Sequence, residues 1–156
     1  MANVTITLLV DTTGLLNDQN PDPVMKNYCT LAQLGGQLVD DPNNDLRNDI
    51  SEVFLGDSIT WNAVSNSDTL PQGVTGVIVN IQAITATTVF GKGQAIATQL
   101  VPGATGGTSA TGVISYGSEG DTVTYTITFD VVTSPSSSGS TSRSYFIDPK
   151  IRVHSH

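Results

Sequence analysis

Asp121 to Val131 alternates with a period of two. Val123, Tyr125, Ile127, Phe129 and Val131 fall on one side, and Thr122, Thr124, Thr126, Thr128 and Asp130 on the other. A pleated strand sends successive side chains to opposite faces, so this stretch can bury a dry stripe while its threonines meet water or a partner. A helix would scatter the same residues around its circumference. The N-terminus repeats the pattern, with Val4, Ile6, Leu8 and Val10 opposed by Thr5 and Thr7. Two such segments in a chain of 156 residues restrict the fold to one built from half-buried strands.

Further strands are expected at Ser58–Val64, where Ile59 and Trp61 point inward, and at Val74–Thr85, with Val77, Val79, Ile81 and Ala83 on one face. Val89–Leu100 reads as a weaker strand pair interrupted by Gly91-Lys92-Gly93, and Val113–Tyr116 as a short strand. Ser144–Val153 closes the chain, with an edge position, bulge or kink predicted near Asp148-Pro149 because proline lacks the N–H a ladder needs. Gly56-Asp57-Ser58-Ile59-Thr60-Trp61 and Gly120-Asp121-Thr122-Val123-Thr124-Tyr125 share a form in which Gly-Asp turns the chain and an alternating strand follows. Seven or eight such strands separated by Gly, Pro, Asn and Ser predict an all-β fold, an antiparallel two-sheet β-sandwich with a long N-terminal excursion after the first strand. That excursion, residues 11–49, is too long for a plain connection and must hold structure or serve a function. Within it Val24–Leu34 reads equally as a short helix or an irregular strand. Residues 135–142, Pro-Ser-Ser-Ser-Gly-Ser-Thr-Ser, have nothing to bury and read as a flexible hairpin loop, which leaves 1–156 as a single domain.

Fourteen acidic against six basic residues leave a net charge of −8, a poor match to nucleic acid or an anionic membrane. The single Cys29 excludes an internal disulfide and a cysteine-cluster metal site. The N-terminus has no basic segment ahead of its apolar run, and no stretch has the roughly 20 apolar residues that span a bilayer, so a cytoplasmic location is expected.

Three pieces of the chain, in order, carry a family likeness: the first apolar strand running into Val10-Asp11-Thr12, the central Gly56-Asp57-Ser58-Ile59-Thr60-Trp61, and the terminal Tyr145-Phe146-Ile147-Asp148-Pro149-Lys150-Ile151-Arg152-Val153. With these the sequence resembles the bacterial inclusion-body proteins of the AidA/PixA type. The resemblance implies a self-associating β-sandwich without established catalytic activity, and it transfers no catalytic residues.

The residues themselves offer little chemistry. His154 and His156 stand at the end of the chain, where frayed solvation is the expected state, although a continuing strand would put both rings on one side to share a transition metal. Cys29 reads as a small buried residue. Glu52 and Glu119 are the only glutamates, and Asp57 and Asp121 read as turn caps that accept local N–H bonds, so no paired-carboxylate site is expected. Gly103–Gly107 lacks the lysine of a phosphate loop. Oxygen ligands are concentrated in Asp40, Asp41, Asn43, Asn44, Asp45 and Asp49, with Asp18, Asn20 and Asp22 as a second cluster. Asp40, Asp41, Asn43, Asp45 and Asp49 are therefore the candidate calcium ligands, against a plain loop held by Asx turns. Trp61 belongs to the core by phase, whereas Tyr116 and Phe90 are better placed to stack on a sugar. Leu9, Ile78, Ile84 and Phe146 are out of phase with their own strands, and apolar side chains left outside a sheet mark association or a ligand groove. The expected function is that of a non-enzymatic, self-associating structural protein forming a homo-oligomer such as a dimer. The alternative is a calcium-dependent module binding a glycan or another small ligand.

Overall fold

The computed structural model describes residues 2–21, 25, 27–39, 46–66, 74–85, 95–96, 98–99, 109–135 and 141–155. In chain order these form β1 (Asn3–Val10), a short helix α1 (Thr12–Asn17), β2 (Cys29–Leu34), β3 (Gln37–Val39), a 3-10 turn at Leu46–Asn48, β4 (Ile50–Phe54), β5 (Ser58–Ser65) and β6 (Val74–Thr85). They continue with β7 (Ala95–Ile96), β8 (Thr98–Gln99), β9 (Ser109–Val113), β10 (Thr122–Thr124), β11 (Thr126–Pro135), β12 (Thr141–Ile147) and β13 (Lys150–His154). Among the described residues no helix is long and apolar enough to cross a membrane.

The expected pair of antiparallel sheets is not what forms. The strands make three sheets, ordered β2-β1-β5-β9-β8, β10-β13-β4-β3 and β12-β11-β6-β7, called A, B and C below. Among the described residues two pairings are parallel: β1 with β5, from Asn3 opposite Ser58 to Val10 opposite Ser65, and β13 with β4. Alternation reports which face of a strand is dry and carries no information about the direction of its neighbour, so the same pattern is compatible with parallel and antiparallel partners. A parallel neighbour requires a crossover, and the excursion after β1 supplies it. It holds α1, β2, β3 and the 3-10 turn. Asp11 caps α1 by accepting a hydrogen bond from Gly14 N at 3.1 Å. In the ambiguous segment, residues 29–34 are a strand, with Cys29 and Leu31 buried and Thr30 and Ala32 exposed.

The long alternating segment is itself divided. Thr122–Thr124 belongs to sheet B and Thr126–Pro135 to sheet C, and the chain changes sheet at Tyr125. The closing segment does the same at Asp148-Pro149, between β12 in sheet C and β13 in sheet B. Both changes occur at one corner. Tyr125 N donates to Pro149 O at 2.9 Å, and Thr126 Oγ1 donates to Asp148 Oδ1 at 2.6 Å. Register carries through it unchanged, since Ile127 lies opposite Ile147 and Thr124 opposite Lys150. One antiparallel ribbon therefore bends from sheet C into sheet B, and Pro149 sits where a missing N–H costs no ladder bond. Trp61, from sheet A, reaches this corner: its Nε1 donates to the Tyr125 hydroxyl at 3.3 Å, with ring centroids 5.9 Å apart. Val4, Ile6, Leu8 and Val10 of sheet A, Val53, Ile151 and Val153 of sheet B, and Ile81, Ile127 and Phe129 of sheet C belong to one buried cluster.

The two Gly-Asp echoes are the same device. In each, the Asp N–H donates to the carbonyl three residues back (Phe54 or Ser118) at 3.0 and 2.9 Å, and the carboxylate accepts that residue's N–H at 2.8 Å. Gly56 and Gly120 have φ of 92° and 86°, the left-handed region that a type II turn needs at its third position. Each turn then docks on one strand-end residue. Gly56 N donates to Ile114 O and Ile114 N to Asp57 O, while Gly120 N donates to Val153 O and Val153 N to Asp121 O. They differ in burial, since Asp57 is 2% exposed and its second oxygen accepts Ala2 N at 2.9 Å, whereas Asp121 is exposed. Asp57→Ala is expected to cost about 2–4 kcal/mol of unfolding free energy, through loss of two charge-assisted bonds and a buried void, and Asp121→Ala about 0.5–1 kcal/mol. Urea denaturation of the two variants checks the difference, and equal losses would contradict it.

Candidate functional site

Two outward surfaces carry the side chains with something left to do. The first is the outer face of sheet C. Ile78 is 44% exposed and Phe146 is 51% exposed, as their phase predicts. Val132 lies between strands, opposite both Ile78 and Ser142, and Phe146 lies opposite Thr128. Asp130 occupies the middle of this face and is buried there. It accepts from Gln82 Nε2 and from Ser144 Oγ, each at 2.6 Å, so β6, β11 and β12 are laced together across one carboxylate. A face with apolar side chains at its ends and, at its centre, a carboxylate with a donor on each oxygen is suited to packing.

The other two out-of-phase residues behave differently. Leu9 is half-buried, and Ile84 is fully buried. The β6–β11 register shifts between Thr128 and Phe129: Thr128 faces Ala83 but Phe129 faces Ile81, so β6 carries an extra residue at Gln82. That bulge reverses the parity and turns Ile84 inward along with Ile81.

The second surface is the outer side of sheet B. His154 is not frayed: it ends β13 in register with Phe54 of β4. Its Nδ1 lies 2.8 Å from Glu119 Oε1 and its Nε2 lies 3.7 Å from Glu52 Oε1, which also accepts from Arg152 Nη1 at 2.8 Å. Glu119 in addition accepts from Ser155 N at 2.6 Å, and the Phe54 ring centroid is 5.5 Å from that of His154. Both glutamates of the chain thus converge on one imidazole. The Glu119 hydrogen bond raises the His154 pKa above its ordinary value, and the same bond lowers that of Glu119. His156 lies outside the described residues.

Of the candidate calcium ligands, Asp40, Asp41, Asn43 and Asp45, with their neighbour Asn44, lie outside the described residues. Asp49 is buried, and its carbonyl accepts Lys150 N at 2.9 Å. In the second cluster Asp18 accepts from Asn20 N at 2.9 Å and from the Tyr28 hydroxyl at 2.6 Å, an Asx turn closed by a phenol. Asp22 is outside the described residues. Among the described residues no three His, Cys, Asp or Glu side chains converge as metal ligands would. Cys29 is buried and its thiol is pushed up to about 12, first by burial and then by Asp11, so it is protonated at neutral pH. Trp61 is in the core, Tyr116 is exposed, and Phe90 falls outside the described residues.

No protein-family model matches the sequence, and no curated protein does. The fold does have a solved counterpart. It is similar to the crystal structure of an inclusion body protein, PixA, from Burkholderia cenocepacia J2315, with a TM-score of 0.65, covering 97% of this chain and 95% of that one at 11% identity. The resemblance suggested by the short motifs is thus present at the level of the fold.

The His154–Glu119 pair predicts a pH window. A histidine with a raised folded pKa adds stability that is fully present below its unfolded pKa of 6.5 and fades as pH rises through the folded value. Glu119, with a lowered folded pKa, adds stability present above its unfolded 4.5 and lost as pH falls through the folded value. His154→Gln is therefore expected to lower the melting temperature between about pH 5 and 6.5 and to leave it unchanged near pH 9, with salt reducing the difference. Melting curves across that range check this, and an equal loss at pH 9 would contradict it.

Proposed function

We propose that this chain is a non-enzymatic structural protein that associates with copies of itself, in the manner of an inclusion-body protein. The observation that carries the reading is the near full-length likeness of its fold to the PixA inclusion body protein. The outer face of sheet C supports it independently. Ile78 and Phe146 place apolar area on a face whose carboxylate is already satisfied by Gln82 and Ser144, and apolar area of this kind gains most from being covered. The net charge of −8 opposes indiscriminate precipitation, so assembly depends on specific contacts and strengthens as salt screens the repulsion.

The decisive residues are few. Burying one large apolar side chain is worth about 1.5–3 kcal/mol, so Phe146→Ser or Ile78→Ser is expected to weaken association by about tenfold or more without altering the fold. Sedimentation velocity over a concentration series checks this. A monomer persisting to millimolar concentration would overturn the reading, and so would wild-type association in both variants.

A further inference from the structure

A β-sheet presents two kinds of surface, its faces and its edges, and a soluble protein must manage the edges. Among the described residues the three sheets have six edge strands. β3 and β10 have three residues each, and β7 and β8 two. Such short edges offer little for another chain to pair with, and β6, which β7 covers only at Ile84 and Thr85, is interrupted along its length by Gly76 and the bulge at Gln82. β2 has six residues but lies against β3 and the 3-10 turn at Leu46–Asn48. The remaining edge is different. β12 has seven residues, pairs with β11 from Ile127–Ile147 to Thr133–Thr141 without a register shift, and lies substantially against that strand alone among the described residues.

Thr141-Ser142-Arg143-Ser144-Tyr145-Phe146-Ile147 has no proline, glycine, lysine or bulge to blunt the edge, and Arg143 is its one charged residue. Ser142, Arg143, Ser144 and Phe146 are exposed, which leaves the strand approachable. Its charge also suits a partner copy. In a chain of net charge −8 this strand has no acidic residue and one cation, Arg143, whose Nη1 donates to Leu16 O at 3.1 Å and whose guanidinium carbon lies 5.9 Å from the Tyr145 ring centroid. Arg143 therefore eases the repulsion between acidic copies along this strand.

We infer that β12 pairs antiparallel with β12 of a second copy across a two-fold axis, joining two C sheets into one continuous sheet. Identical strands are self-complementary in this arrangement, because each donates and accepts the same set of backbone bonds. Sheet continuation also brings Phe146 of one copy beside the outward serines of the other. The shared strip is about 24 Å long, which places the contact at the weak end of specific interfaces and makes it depend on concentration. The inference rests on the self-association proposed above and adds the surface that carries it.

Cysteine scanning tests it. Ser144→Cys links to its own copy when the axis passes that residue, and the pairs Ser142→Cys/Ser144→Cys and Ser144→Cys/Phe146→Cys read axes one residue to either side. Buried Cys29 does not compete, and Leu34→Cys, at the exposed end of β2, serves as the rival edge. Under mild oxidation at concentrations where the wild type associates, disulfide-linked dimers are expected predominantly from the β12 variants. Wild-type association with cross-links absent from β12, or equally abundant at Leu34→Cys, would overturn the edge assignment and leave the proposed function standing. A wild type that sediments as a monomer at every concentration would overturn both.

Discussion

A buried carboxylate holds the place where the chain passes from one sheet to another. Asp57 stands between β4 of sheet B and β5 of sheet A, and its two oxygens take the N–H groups of Phe54 and Ala2. Around it, Ser58 N bonds Ala2 O and Leu55 N bonds His154 O, so the start of β1, the β4–β5 turn and the end of β13 meet at one point. Leaving a buried N–H unmet costs more than a surface bond returns, so this point tolerates little change. Parallel pairing of β1 with β5 begins immediately beyond it, at Asn3 and Ser58. The geometry of sheet A thus follows from a contact outside its own ladder.

The second corner is made differently, by one ribbon bending as a unit. Because its two strands turn together at Tyr125 and Asp148-Pro149, the inward row continues from Phe129 and Ile127 to Tyr125 without losing phase, and Ile151 and Val153 extend it in sheet B. The bend also determines what stays outside. β13 turns inward between β10 and β4 and is covered on both sides, whereas β12 remains the margin of sheet C. The same covalent ribbon therefore supplies an interior strand at one end and an exposed edge at the other. The apolar Phe146 stands on the exposed part.

What could be read from the sequence follows the range of each interaction. Burial of Val4, Ile6, Leu8 and Val10, the placement of Trp61, the Gly-Asp turns and the break at Pro149 depend on residues next to one another, and each appears in the structure as its local pattern predicts. Sheet number and strand direction depend on partners far along the chain, and alternation is silent about them. Ile84 departs from its expected face because the extra residue at Gln82 reverses the period, and a bulge leaves no mark in the run Val79-Asn80-Ile81-Gln82-Ala83-Ile84. α1 is only six residues long with a glycine inside it, and its one signal was the capping Asp11. His154 looked like a loose terminus because Glu52 and Glu119, which bracket it, are distant in sequence. Of the calcium candidates Asp40, Asp41, Asn43, Asp45 and Asp49, Asp49 alone lies among the described residues, where it is buried.

Assembly and fold are connected through the satisfaction of backbone groups. Backbone groups paired by a neighbouring strand are spoken for, and β12 presents along the margin of sheet C a row of seven residues without a described strand partner. Hydrogen–deuterium exchange followed as a function of protein concentration reads that row directly. Amides of residues 141–147 that face away from β11 should exchange rapidly in dilute solution and become protected as concentration rises, while those of β5, inside sheet A, stay protected throughout. Exchange in 141–147 that does not change with concentration, in samples shown by sedimentation to be associated, would contradict the account.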